Sequence, residues 1–561
     1  MNDSGEVIVV GAGLAGMATA LGVALGGGRA TVLEASELIG GAAAYSGGMV
    51  WAGANHVAAR EGIDDTLEAA ERYVRDIAAD HPDLLDDAAL RRWLTVAPAA
   101  LRYWEDVGAI RWAVIPGLAD YHSEADGAAP AGRYLTNEPI DGSELGEWRE
   151  RMRVSPYFPV GDTYADLFAK GRRKAYVEDS DQLDDVPAHA GVPAFGSPDR
   201  APRAAAAVAE ADPLTFGTGV AASFAARALR EDGVELLLSH RVTELLTDGA
   251  GRVVGVRAEG PDGTIERRGP VVLATSTYDW DPELVREILD LGPDDWGSVA
   301  PRTLRGDGIR LARAAGGAIA RVPATHVPLL PGWRSTVGEG FSYGPEYALP
   351  HSMIVDAGGD RYCDDSYWVD IVAKTLAPGD RHLPFFLVWD SQHHRKYGLG
   401  VIPPGGDYPE GLVTSAPTLA ELGAGLGIDG AQLERTAARF SANVSEHGAD
   451  PDFGRGSVPY VQRFVGDPSN EPNPVLGTIA EPPFHGLRLR FVGTGVGSSG
   501  VHVDSEGAVL SESGDRVEGL YAVGSAAALT SSGCGYNSGF ALGRGLTHAY
   551  LVSGELTGSV R

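Results

Sequence analysis

The apolar pattern opens with an unbroken run. Val7, Ile8, Val9 and Val10 are apolar and mostly β-branched, as in a strand buried on both faces. An apolar stretch broken by glycines, residues 14–25, predicts a buried helix, and residues 30–33 predict a second short strand. Residues 64–80 and 84–108 then carry apolar positions at helical spacing. Residues 115–159 read as loop with embedded aromatics, among them Tyr121, Tyr134, Trp148 and Tyr157. Residues 178–213, rich in Ala, Pro, Asp and Arg, read as a variable helical excursion. A helix is expected over 215–230, and strands over 234–238, 253–258 and 271–275. From about 302 to 456 the βα rhythm fades into long loops with more His, Trp and Tyr. It returns near the end, with strands expected over 501–504 and 519–524 and a helix over 542–554.

The junction of the first strand and helix carries chemistry. Gly11, Gly13 and Gly16 complete G-x-G-x-x-G there, and the second strand ends in Glu34, 23 residues beyond Gly11. The first two glycines let the backbone turn and approach a pyrophosphate, and the third lets helix and strand pack closely. The helix N-terminus offers free N–H groups and a positive dipole end, and the acid accepts bonds from a ribose diol. A second glycine loop follows, with Gly40, Gly41, Ser46, Gly47 and Gly48, which suits a flavin dinucleotide better than a nicotinamide one. Near the other end, residues 519–524 read as a strand closing on Gly524, and residues 531–541 as a Gly/Ser loop entering a helix. That helix start would aim its dipole at the flavin ring, so both ends of the chain would share one FAD. Ala15, Ala35, Val242, Ser538 and Leu542 complete the expected cofactor contacts.

The expected architecture is therefore α/β: a Rossmann-like FAD-binding domain at residues 1–301 and 457–561, with an α+β catalytic domain inserted at 302–456. A net charge of −30 argues against nucleic acid and anionic membranes, because phosphate binding needs clustered Lys and Arg. Two cysteines, Cys363 and Cys534, give neither a disulfide framework nor a metal knuckle, and no metal is expected. The chain start has no basic n-region and no apolar run long enough to span a bilayer, so a cytoplasmic protein without an integral membrane segment is expected.

Several separated segments resemble the FAD-dependent 3-ketosteroid dehydrogenases, in particular the Δ1-dehydrogenase group of the fumarate reductase flavoprotein superfamily. They are GGAAAYSGGMVWAGAN (40–55), PGLADYHSEADGAAPAGR (116–133), ALPHSMIVDAGGDRYCDDS (348–366), LPFFLVWDSQHHRKY (383–397), DPDFGRG (450–456), GDPSNEPNPVLG (466–477) and the closing GLYAVGS and GCGYNSG. The resemblance implies FAD, a hydrophobic ring-ketone substrate, an external electron acceptor of quinone-like or unknown kind, and removal of a proton and a hydride from neighbouring ring carbons. It places Tyr121 at the family's PDYY tyrosine and Tyr536 at its ketone-polarising tyrosine, with Gly539 as the backbone donor. Here Gly539 follows the tyrosine by three residues instead of four. The family's RF-x-NES-x-PY becomes RYCDDSYWVD, one residue shorter. Aligned from the left, Tyr367 is nearest to the proton-abstracting tyrosine; aligned from Val369-Asp370, Trp368 takes its place. An indole has no proton at a useful pKa, so Tyr367 is the expected base and Tyr121 its support. The altered motifs, including Thr494-Gly495-Val496-Gly497 in place of T-K-G-G, leave open a different steroid position or a smaller cyclic ketone. A fumarate reductase-like enzyme, with Arg544, His548, His351 and Arg361 as cationic candidates, and a flavin-binding protein without turnover are the rival readings.

Overall fold

A computed structural model describes residues 6–158, 161–168, 213–322, 329–400 and 402–559. The first strand, β1 (Glu6–Val10), is buried from its second residue onward. The helix behind it, α1 (Leu14–Leu25), is buried over most of its circumference, as its nearly all-apolar composition requires. Beside β1 run β2 (Arg29–Leu33) and then β3 (Val234–Leu237), which follows helix α2 (Phe216–Ala228). The other flank is β4 (Val271–Leu273), then β5 (Ala508–Leu510) and β6 (Arg516–Ala522). The six strands lie in the order β5-β6-β4-β1-β2-β3.

All pairings in that sheet are parallel except β5 with β6 at the edge. Val9 stands between Val32 and Val272, so the sheet's centre is a block of β-branched side chains. Parallel strands deliver all their carboxyl ends to one rim, where open α/β sheets bind ligands. The last helix, α3 (Phe540–Thr557), packs against α1, and a Cβ on Gly524 would lie 2.9 Å from that of Ala15. The first and last parts of the chain thus build one layer.

The inserted half holds two four-stranded sheets. One orders Ser352–Asp356, Phe385–Trp389, Phe484–Arg488 and Thr414–Ala416, all antiparallel. Helices Leu419–Leu426 and Gly430–His447 share a core with it built on Met353, Val388, Leu422 and Phe440. The other sheet joins Trp296–Ser298, Arg490–Gly493, Leu330–Arg334 and Phe341–Tyr343. Strand pairing carries residues 484–493 into the inserted half, and we propose that the chain re-enters the dinucleotide half after Gly493 rather than at 457.

Most expected elements appear with small changes of boundary. Residues 115–159, expected as loop, also contain strand Tyr134–Asn137 and a short helical stretch, Gly142–Arg151. Of residues 501–504 only Val501 is in a strand, Gly500–Val501. The excursion at 178–213 lies outside the described residues except for Pro213, which begins strand Pro213–Leu214.

Candidate active site

The glycines at the rim are required by space. Gly11 has φ +111°, and a Cβ there would lie 2.5 Å from the carbonyl oxygen of Ala274. A Cβ on Gly16 would sit 2.0 Å from the Gly11 oxygen, which is the close strand-to-helix approach expected of the third glycine. Gly40 donates its N–H to the Ala12 oxygen at 2.9 Å and pairs with Gly13, fastening the second glycine loop to the first. Gly48 and Gly524 also have positive φ.

A continuous cavity begins at this cradle. Gly11, Gly13, Ala15, Glu34, Ala35, Gly41, Ser46, Gly47, Gly48, Val242, Gly524, Ser538 and Leu542 all line it, whereas Gly16 and Gly40 stand behind its wall. Glu34 is oriented by two amides, with Ala12 donating to Oε2 and Ser36 to Oε1, each at 2.8 Å. Each oxygen keeps a lone pair for a ribose hydroxyl. Burial raises the Glu34 pKa; those amides, Arg153 and Arg241 oppose it. The Thr275 hydroxyl is buried on the cavity wall and has no partner among the described residues. The amides of Gly539, Ala541 and Leu542 at the start of α3 have none among the described residues. Unpaired donors, glycine clearance and an oriented acid fit a dinucleotide.

The far end of the cavity is aromatic. Tyr121, Tyr343, Tyr347, Trp368, Tyr460, Phe464 and Tyr536 line it, together with Leu330 and Val465. Asn537 ties this end together: its fully buried Oδ1 accepts from the Tyr73 hydroxyl at 2.7 Å, the Tyr134 hydroxyl at 2.9 Å and the Tyr121 amide at 3.0 Å. The loop bearing Tyr536 and Gly539 is thereby held against the segment bearing Tyr121. The Tyr536 hydroxyl has no hydrogen-bond partner among the described residues, and burial drives its pKa well up. It is a phenol ready to donate. Gly539 caps α3 at φ +84°, and a Cβ there would lie 2.7 Å from the Trp51 nitrogen, so no larger residue fits.

Tyr121 and Trp368 meet edge to face at 6.0 Å, and Trp368 meets Tyr536 likewise at 6.3 Å. Tyr367, the expected base, is not among the residues that line this cavity. The reason is His122. Its Nε2 lies 3.2 Å from the Tyr536 carbonyl oxygen and must donate to it, so Nδ1 is left as an acceptor. The Tyr367 hydroxyl donates to that Nδ1 at 3.0 Å. Burial lowers His122 to about 4, which keeps the ring neutral and this arrangement in place. Tyr367 is also the residue from which helix Trp368–Thr375 starts, and the next residue, Trp368, faces the cavity.

Tyr460, on the short helix Pro459–Phe464, was not among the expected site residues. Its ring centre is 4.8 Å from that of Tyr121. A lone tyrosine in less than two turns of helix gives no periodic signal. None of the cationic candidates for dicarboxylate binding lines the cavity. Arg544 bonds the Gly524, Ala527 and Ala528 carbonyls, and His351 lies 2.8 Å from the Thr478 carbonyl. Arg361 is clamped between Asp365 and Asp450, and His548 is buried with no partner for Nδ1 among the described residues.

A glycine cradle for a flavin dinucleotide, opening into an aromatic chamber, defines an FAD-dependent oxidoreductase. Residues 6–542 match the FAD binding domain family, and the chain belongs to that family. It is 30% identical to a 3-oxosteroid 1-dehydrogenase of Mycobacterium tuberculosis, over 98% of this chain and 97% of that one. It is also 30% identical to a 4-oxocyclohexanecarboxylate 2-dehydrogenase of Sinomonas cyclohexanicum, over 99% and 93%. Its fold matches the crystal structure of a 3-ketosteroid Δ1-dehydrogenase from Sterolibacterium denitrificans in complex with 1,4-androstadiene-3,17-dione, with a TM-score of 0.84, 23% identity and 99% of each chain covered.

Proposed function

We propose that the protein introduces a C=C bond beside the ketone of a neutral ring system, the leading case being Δ1-dehydrogenation of a 3-ketosteroid. One observation carries the substrate class: among the described residues, no charged side chain lines the aromatic end of the cavity. A ring ketone bearing a carboxylate would need a cation there, because an unpaired anion in such a chamber is strongly disfavoured. The small-ring acid named for the Sinomonas cyclohexanicum relative therefore fits less well than a steroid.

The ketone oxygen accepts hydrogen bonds from the Tyr536 hydroxyl and the Gly539 amide. These donors cost little in the ground state and strengthen as negative charge develops on that oxygen. The bonds make the neighbouring carbon acidic, and a tyrosine oxygen on the facing wall takes its proton. Bound FAD supplies a hydride acceptor for the next ring carbon. Trp368, Phe464, Val465 and Leu330 exclude water and fix the ring plane. An external electron acceptor, quinone-like in chemistry, completes the cycle. Among the described residues, no helix is long and apolar enough to cross a membrane.

The test is anaerobic mixing of the yellow protein with androst-4-ene-3,17-dione, 4-oxocyclohexanecarboxylate or succinate, following loss of flavin colour. Bleaching by the steroid with formation of the 1,4-diene is expected. Bleaching by the small acid alone would move the substrate, and bleaching by succinate alone would overturn the reading.

A further inference from the structure

The segment DPDFGRG, residues 450–456, lines no part of the cavity, yet three stretches of the aromatic wall meet at its second-last residue, Arg455. Arg455 is fully buried, and its chain runs on to Tyr460, Phe464 and Val465 of the wall. Its Nη2 donates to the carbonyl oxygens of Tyr347, at 3.1 Å, and Leu349, at 3.0 Å, on the second stretch. Its Nη1 lies 3.0 Å from Oδ1 of Asp365, three residues before Trp368 on the third. We infer that Arg455 is a positioning residue that sets the spacing of these three walls, and through it how a ring ketone is held against Tyr536 and Gly539. The inference rests on the ring-ketone reading above.

The charges around Arg455 close into a ring. Asp365 accepts from Arg361 Nη2 at 2.8 Å, Arg361 Nη2 also donates to Asp450 Oδ2 at 2.7 Å, and Asp450 Oδ2 accepts from the Arg455 amide at 3.1 Å. The two arginines and two aspartates have side chains at most 3% exposed, and their formal charges cancel. Buried pairs of this kind add little net stability over apolar packing, but removing one partner strands the other as an unpaired charge, so their geometry is fixed. Beside the ring, the Gly456 amide donates to the Ser366 hydroxyl at 3.2 Å and joins the first and third stretches again.

A planar guanidinium can serve these carbonyls and a carboxylate together, because its five donors point in fixed directions; an ammonium on a flexible stem cannot. A wall displaced by about 1 Å can cost on the order of 10²-fold in rate, since the reacting carbons leave the reach of their partners. Arg361 supplies the contrast. It is in the same ring, and its hydrogen bonds among the described residues go to Asp365 and Asp450 and to no wall carbonyl.

Arg455→Lys and Arg361→Lys, both loaded with FAD, keep every charge of the ring. The readout is the anaerobic rate of flavin bleaching against the concentration of androst-4-ene-3,17-dione. It counts only molecules that hold FAD, so partial unfolding moves neither the limiting rate nor the half-saturating concentration. The ratio of the two should fall about tenfold or more in Arg455→Lys and about threefold or less in Arg361→Lys. Equal losses in both variants, or native values in Arg455→Lys, would overturn the inference. If Arg455→Lys does not fold with FAD, Ser366→Ala decides: it removes one bond between two of the same walls and should lose about threefold, and native values there overturn the inference. A wild type bleached by no ketone removes the functional reading and this one together. A bleached wild type with native values in the variants removes this one alone.

Discussion

The two ends of the cavity are built in opposite ways. The dinucleotide end is largely local: Gly11, Gly13, Gly16 and Glu34 lie within one βαβ unit, and their work is done by backbone clearance and amides. The aromatic end draws Tyr121, Tyr343, Trp368, Tyr460 and Tyr536 from five separate stretches, and its work is done by side-chain hydroxyls. Backbone chemistry tolerates almost no substitution, whereas a wall of phenols can exchange roles among its members. The Tyr367 hydroxyl is turned toward His122, and Tyr460 stands beside Tyr121.

The largest expected effect is at the dinucleotide end. Gly16→Ala forces a carbon against the Gly11 carbonyl with no flexible neighbour to yield, so FAD content in the purified protein should fall to near zero. A fully yellow Gly16→Ala would break the contrast. Next is Tyr536→Phe, which should keep its FAD and lose on the order of 10²-fold or more in turnover, the cost of one donor to a developing oxyanion. Wild-type-like turnover would remove Tyr536 from the mechanism.

Asn537→Ala leaves three donors, two of them buried hydroxyls, without their acceptor. It should cost about 1–3 kcal/mol of stability, read as a lower denaturant midpoint, and about tenfold in turnover as the two walls loosen. Tyr367→Phe should lose less than about threefold in turnover, because it removes a bond to His122 outside the cavity, worth roughly 1 kcal/mol. A Tyr367→Phe as inactive as Tyr536→Phe would return Tyr367 to the role of base.

The last effect is confined to acid. His122 has its pKa lowered from 6.5 to about 4 in the folded protein, so the unfolded chain binds the extra proton first as pH falls. Its contribution is fully present above pH 6.5, declines between 6.5 and 4 by at most about 1.4 kcal/mol per pH unit, and is flat below. Denaturant midpoints of wild type and His122→Gln should converge across that window as pH is lowered.

These contrasts follow how much of each end could be read from the chain. Gly11, Gly13, Gly16 and Glu34 announce themselves because the strand, helix and acid needed around them are adjacent in sequence. Tyr121 and Tyr536 were recognisable from their motifs. The two alignments of RYCDDSYWVD left Tyr367 and Trp368 both in play, and sequence could not choose between them, because which one faces the cavity depends on a helix start whose Tyr367 hydroxyl bonds His122 from another segment. The membership of Phe484–Arg488 in the inserted sheet was hidden for the same kind of reason: its partner, Phe385–Trp389, lies about a hundred residues away. Local spacing speaks for itself, and long-range pairing does not.

The seating of Gly524 and α3 on α1 has a consequence for synthesis. A ribosome releases α1 and the first glycine loop early, but Ala15 meets Gly524 only when almost the whole chain has emerged. Until then β4 lacks its neighbour β6, and the growing chain exposes an open sheet edge. The cavity wall is therefore incomplete until residues 523–546 have been made. A chain truncated before Gly524 lacks the part of the cavity wall at residues 523–546 and should be purified without yellow colour.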